Sequence, residues 1–175
     1  MRPMMIAIPS IALTALAGPA RAQSAPEGWA FGATGYAVYW SDDGAAFDVF
    51  GGPALQVSRL TPRGLGFDFR GGVILSTGFY DMTGASGILG LSFGFPAAAH
   101  LVQLKAGAAG FLGGDSDGSV IGGGGPYAGA AATLRVAGRF GIQLEGLARY
   151  YKTGDGWVFG PSAAVGPMLL PGAGN

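Results

Sequence analysis

Apolar and polar side chains alternate with a period of two along most of the chain after residue 28. Leu65, Phe67 and Phe69, for example, fall on one face of an extended segment. Asp68 and Arg70 fall on the opposite face. Such alternation predicts β-strands that each have one apolar and one polar face. Eight segments follow this pattern: Trp29–Trp40, Ala46–Ser58, Gly64–Leu75, Ser86–Phe95, His100–Leu112, Pro126–Val136, Gly141–Tyr151 and Trp157–Leu170.

The charged residues inside these segments share one phase, opposite to the continuous apolar face. They are Asp48, Asp68, Arg70, Lys105, Arg135, Glu145 and Arg149. A soluble sheet turns its polar face to water, whereas here that face is sparse and mixed with Gly, Ala and Ser. We therefore predict that the apolar face contacts lipid. The seven charged side chains would line a narrow lumen, as a structural or a pore-lining cluster in which acids pair with bases.

The connections between segments differ in length and charge at the two ends of the predicted strands. The longer set is Ser41–Ala45, Ser76–Ala85, Gly113–Gly125 and Lys152–Gly156, and it holds six Asp residues. The shorter set is Arg59–Arg63, Pro96–Ala99 and Ala137–Phe140, and Arg residues and His100 cluster there. Long loops at one end and tight turns at the other are typical of outer-membrane barrels. Within the third loop, Gly122–Gly125 predicts a mobile stretch.

The composition fits one small β-domain. The chain has 175 residues, of which 35 are Gly and 11% are charged. Frequent Gly opposes helices, at about 1 kcal/mol per internal residue, and it relieves crowding inside a small, sharply curved barrel. The absence of Cys excludes disulfides and thiolate metal sites, and the formal net charge of +0 gives no basic surface for nucleic acid.

The first 22 residues have the three regions of an export signal. Arg2 provides positive charge, residues 4–17 are almost wholly apolar, and Ala20-Arg21-Ala22 forms a small-x-small cleavage site. This order predicts a signal peptide over residues 1–22 and an outer-membrane β-barrel domain over residues 23–175.

In its pattern of segments, Gly28–Leu170 resembles the small outer-membrane barrels of the OmpA/OmpX type. The resemblance implies an all-β, closed, antiparallel up-and-down transmembrane barrel of about eight strands, with short periplasmic turns and longer outer loops. It rests on pattern alone, so no functional residue is transferred. The chain also departs from that type, because its last segment lacks a terminal aromatic residue and contains Pro161 and Pro167.

Three short motifs indicate chemistry only weakly. Gly90–Gly94 matches the Gly-x-Ser-x-Gly elbow of serine hydrolases, but that motif requires a strand–turn–helix bend, and these residues lie within a predicted strand. His100 has no serine or acid in the adjacent turn. Asp115–Ser119 resembles part of a calcium loop without the distal Glu. We therefore predict no catalytic, cofactor-binding or metal-binding residues.

The sequence favours a non-catalytic outer-membrane protein with a structural or surface-interaction role. Its expected partners are outer-membrane lipid and lipopolysaccharide, with an extracellular partner reached through the loops. Two alternatives stay open: a small-solute channel, which would conduct in planar bilayers, and a soluble exported β-barrel that binds an apolar ligand, which would turn its apolar phase inward.

Overall fold

The computed structural model describes residues 27–42, 46–76, 82–97, 100–114, 116–154 and 156–172. The predicted signal peptide, residues 1–22, lies outside this range. No helix in the described ranges has the length and hydropathy needed to cross a membrane.

The described residues form antiparallel strands in chain order. They are β1 (Gly28–Asp42), β2 (Ala46–Leu60), β3 (Leu65–Ser76), β4 (Thr83–Ala97), β5 (His100–Gly114), β6 (Val120–Ala137), β7 (Phe140–Lys152), β8 (Trp157–Phe159) and β9 (Ser162–Leu169). Each of β1 to β7 pairs with the next strand along the chain.

The sheet closes on itself through β9, which pairs with β7 on one side and with β1 on the other. Because β8 and β9 occupy a single position beside β7, the ring is an eight-stranded barrel. Closure satisfies backbone groups that a free sheet edge would expose. The predicted all-β, closed, up-and-down antiparallel barrel is confirmed.

The eighth predicted segment is one strand position interrupted at Gly160-Pro161. Pro161 has no N–H to donate to a ladder. Its carbonyl oxygen instead accepts a hydrogen bond from the Tyr39 N–H at 2.8 Å, and the Gly160 N–H donates to the Arg149 carbonyl oxygen at 2.8 Å. Pro167 is accommodated in β9, where it lies opposite Ile142 of β7.

The predicted loop over Gly113–Gly125 is wrong over much of its length. Gly122–Gly125 belongs to β6 and is paired with residues 109–112 of β5. Glycines carry no side-chain phase, so alternation could not reveal this part of the strand, whereas the backbone ladder with β5 holds it. The strand bounds also leave shorter connections than predicted at that end: 43–45, 77–82, 115–119 and 153–156. The turns at the other end are also shorter than predicted and comprise residues 61–64, 98–99 and 138–139.

Inward-facing glycines make room for large side chains that cross the lumen. A Cβ atom on Gly72 would lie 2.6 Å from the Ala54 Cβ and 2.9 Å from the Tyr36 Cε1. The Tyr36 ring passes over this glycine, and its hydroxyl donates to the Val73 carbonyl oxygen at 2.8 Å. Gly146 of β7 faces outward, and a Cβ atom there would meet no atom within 4 Å.

These two glycines give a matched test of lumen packing. We expect Gly72→Ala to destabilise the barrel by about 1–3 kcal/mol, because an overpacked site forces its neighbours to shift. Gly146→Ala should change stability by less than about 0.5 kcal/mol. Urea unfolding of both variants in lipid vesicles measures the difference, and equal stability would contradict the tight packing around Tyr36.

Candidate functional site: the lumenal charge network

Five of the seven charged residues predicted for the lumen are buried inside the barrel. Asp68 and Arg70 lie on β3, Lys105 on β5, and Glu145 and Arg149 on β7. Strand alternation brings them together, because every second side chain of a closed barrel points inward. Asp68, for instance, has no accessible surface.

Four of these side chains form a continuous chain of ion pairs, which we call the lumenal charge network: Asp68, Lys105, Glu145 and Arg70. The Lys105 Nζ donates to the Asp68 Oδ2 at 3.1 Å and to the Glu145 Oε2 at 2.7 Å. The Arg70 Nη1 donates to the other oxygen of Glu145, Oε1. Lys105 therefore bridges two acids, Glu145 bridges two bases, and the network links β3, β5 and β7 across the lumen.

Neutral polar side chains of β2 complete the coordination of Asp68. The Asp68 Oδ1 accepts hydrogen bonds from the Ser58 Oγ at 2.5 Å and from the Gln56 Nε2 at 2.8 Å. The sequence analysis did not assign Gln56 and Ser58 to the lumenal cluster. The register between β2 and β3 explains why they lie there: Ser58 is the cross-strand partner of Asp68, and Gln56 is the cross-strand partner of Arg70.

Arg149 is enclosed by the barrel but stands apart from the network. Its Nη1 donates to the Tyr151 hydroxyl oxygen at 3.1 Å, and no described carboxylate forms a salt bridge with it. Tyr151 belongs to an apolar layer at the loop end of the barrel, where the Phe111 ring lies 5.2 Å from the Tyr151 ring and 5.5 Å from the Phe50 ring.

Apolar side chains lie on both sides of the network along the barrel. Leu60, Leu101 and Leu170 pack together at the end that holds the short turns. A larger cluster, which includes Phe50, Phe111 and Tyr151, fills the loop end. The Lys105 and Asp68 side chains are consequently inaccessible to solvent from either end.

The prediction that Arg135 lies in the lumen is wrong. Its side chain is exposed, although it shares the phase of the buried Thr133. Arg135 lies near the end of β6, where the pairing with β7 becomes irregular between Arg135 and Ala137. Phase predicts the side of a strand but not where the enclosed part of the lumen ends. The Asp48 side chain lies outside the described residues.

The hydrolase-like motif contains no assembled catalytic site in the described structure. Residues 90–94 continue within β4. The Ser92 Oγ is buried and has no hydrogen-bond partner among the described residues. His100 begins β5 beside the turn, opposite Ala97. No group of three or more potential metal ligands occurs in the described ranges.

Because Lys105 joins two buried carboxylates, its removal tests the network. We expect Lys105→Met to destabilise the barrel by about 3–5 kcal/mol, since it leaves buried charges without their partner. Lys152, the other lysine of the chain, is exposed at the end of β7, and Lys152→Met should change stability by less than about 0.5 kcal/mol. Unfolding midpoints in urea compare the two variants, and similar midpoints would show that the buried carboxylates do not depend on Lys105.

Comparison with known proteins identifies this fold among outer-membrane barrels. No model of a known protein family matches the chain, and no curated protein matches it with significant sequence similarity. Among solved structures, it is similar to Neisserial surface protein A, with a TM-score of 0.60 and 15% identity over 83% of this chain and 98% of that one. Ail of Yersinia pestis aligns with a TM-score of 0.49 and 14% identity over 81% of this chain and 99% of that one. The chain thus has the fold of the small eight-stranded outer-membrane β-barrels, as its pattern predicted.

Proposed function

We propose that this protein is a non-catalytic barrel of a bacterial outer membrane, held in the bilayer by its apolar outer face, with a structural or surface-interaction role. The observation that supports this proposal best is that apolar side chains lie on the outside of the barrel and polar ones on the inside, the reverse of a water-soluble protein. Leu91 is 72% exposed, whereas the adjacent Ser92 is 2% exposed and Asp68 is fully buried. In water an apolar surface of this extent would favour aggregation. In a bilayer the outer face of a barrel has to be apolar, because it contacts the lipid acyl chains.

The outer face also has the layered composition that a bilayer favours. Trp29 and Phe67 stack edge to face at 5.4 Å near the turn end, and Tyr150 and Phe159 lie 5.0 Å apart near the loop end. Exposed aliphatic residues such as Leu55 lie between these aromatic groups. Aromatic residues favour the two membrane–water interfaces, and aliphatic residues favour the hydrocarbon core.

The charge distribution supports an orientation with the turns in the periplasm. Arg59, Arg63 and Arg139 are exposed at the turn end, where Gly28 and Pro171 also lie close together. Asp117 is exposed at the loop end. In this orientation the loops face outward, where lipopolysaccharide and an extracellular partner would be met. An export signal over residues 1–22 would deliver the chain.

The packed lumen favours a structural role over the two alternatives. A carrier of an apolar ligand needs an apolar cavity, whereas this lumen is crossed by ion pairs. A channel needs a continuous aqueous path, whereas apolar side chains pack on both sides of the charge network. Within the described ranges, neither the Ser92 Oγ nor the His100 Nδ1 has a hydrogen-bond partner, whereas nucleophilic catalysis requires a base beside the nucleophile.

Location and architecture can be tested together in a Gram-negative host. The protein should sediment with the outer membrane in a density gradient and should migrate differently on a gel before and after boiling, because a closed barrel resists detergent. Recovery in the soluble periplasmic fraction, or identical mobility in both lanes, would contradict the proposal.

A lipid-facing substitution sharpens this test. Leu55→Arg, near the middle of β2, should cost about 2–4 kcal/mol in vesicles, whereas Val120→Arg, at the start of β6, should cost at most about 1 kcal/mol, since the penalty of a charge falls towards the interface.

A further inference from the structure

The described lumen contains an excess of positive charge. Arg70 and Lys105 are paired with both described acids of the lumen, Asp68 and Glu145. Arg149 is the third cation and is 1% exposed. Its one hydrogen bond, from Nη1, goes to a neutral tyrosine hydroxyl, and its Nε and Nη2 are buried without partners among the described residues.

Two other inward side chains of the described lumen also carry unpartnered polar atoms. The Arg70 Nη2 and the Tyr127 hydroxyl are also buried without hydrogen-bond partners in the described structure. Tyr127 is the cross-strand partner of Arg149, and its hydroxyl reaches over Gly90 of β4, where a Cβ atom would be only 2.3 Å away. The hydroxyl is within electrostatic range of the Asp68 and Glu145 carboxylates as well as of both guanidinium groups.

The chemistry of these atoms defines what would satisfy them. Each unpartnered guanidinium nitrogen is a donor with no acceptor function. A buried guanidinium without a counter-charge is costly, and the cost is removed by an anionic acceptor. One negative charge balances the excess. The Arg149 Nε–H and Nη2–H point to the same side of one planar guanidinium, so a single small anion can accept from both.

We propose that the barrel encloses one monovalent inorganic anion of the halide class, bound by the Arg149 Nε and Nη2. The anion completes the neutralisation of the lumen on the loop side of the lumenal charge network. This inference depends on the closed barrel and is independent of the membrane in which the barrel lies.

Anomalous diffraction from the full-length protein tests the proposal. Crystals grown in detergent with bromide as the sole halide should show an anomalous peak in contact with the Arg149 guanidinium. Arg149→Lys, which keeps the charge, should retain the peak, and Arg149→Met should lose it. Arg59→Met, which removes an exposed arginine at the turn end, should leave the peak unchanged.

The wild-type crystal alone can overturn the proposal. Ordered water in place of a bromide peak would do so, as would a carboxylate of the chain seated against Arg149. Asp48 is the candidate for such a carboxylate, because the sequence pattern predicts it on the lumenal face. A bromide peak that persists at full height in Arg149→Met would show that the ion is held by other groups, and it would also contradict the assignment.

Discussion

The interaction on which this barrel's interior depends is the bridge that Lys105 makes between Asp68 and Glu145. Two carboxylates buried in one narrow lumen repel each other and lose hydration, and the ammonium group between them offsets both effects. Arg70 extends the bridge to a second pair, so that β3, β5 and β7 are tied across the barrel. Buried ion pairs contribute little net stability compared with apolar packing. We infer that their contribution here is to specify which inward residues face one another.

That arrangement constrains the rest of the interior. The ionised groups occupy the middle of the lumen, so apolar side chains fill the space on either side: leucines near the turns, and Phe50, Phe111 and Tyr151 near the loops. Several of the large rings lie over a position without a side chain, as Tyr36 does over Gly72 and Phe111 over Gly123. Glycines on the inward face therefore leave the space that the large lumenal side chains occupy.

Much of this architecture could be predicted from the sequence, because a period of two is imposed by the strand itself. The phase of Asp68, Arg70, Lys105, Glu145 and Arg149 predicted their burial. Phase did not predict where enclosure ends, so Arg135 was placed in the lumen although it is exposed.

Two further differences follow from backbone geometry. Gly122–Gly125 has no side-chain pattern, and only its ladder with β5 shows that it is a strand. Pro161 set the last segment apart from the OmpA/OmpX type in the sequence. The break at this residue is bridged by hydrogen bonds from the Tyr39 and Gly160 N–H groups, which depend on contacts with β1 and β7 that local sequence does not specify.

The central claim is that alternate side chains contact lipid while the ionised ones are enclosed. The chain has no native cysteine, so single cysteines can be placed at Leu91 and at Ser92, adjacent residues of β4 on opposite faces. With the protein in vesicles that contain lipids brominated on their acyl chains, the account predicts that a fluorophore on residue 91 is strongly quenched. A cysteine at residue 92 should resist labelling or carry an unquenched fluorophore. Quenching at residue 92 and not at residue 91 would contradict the account.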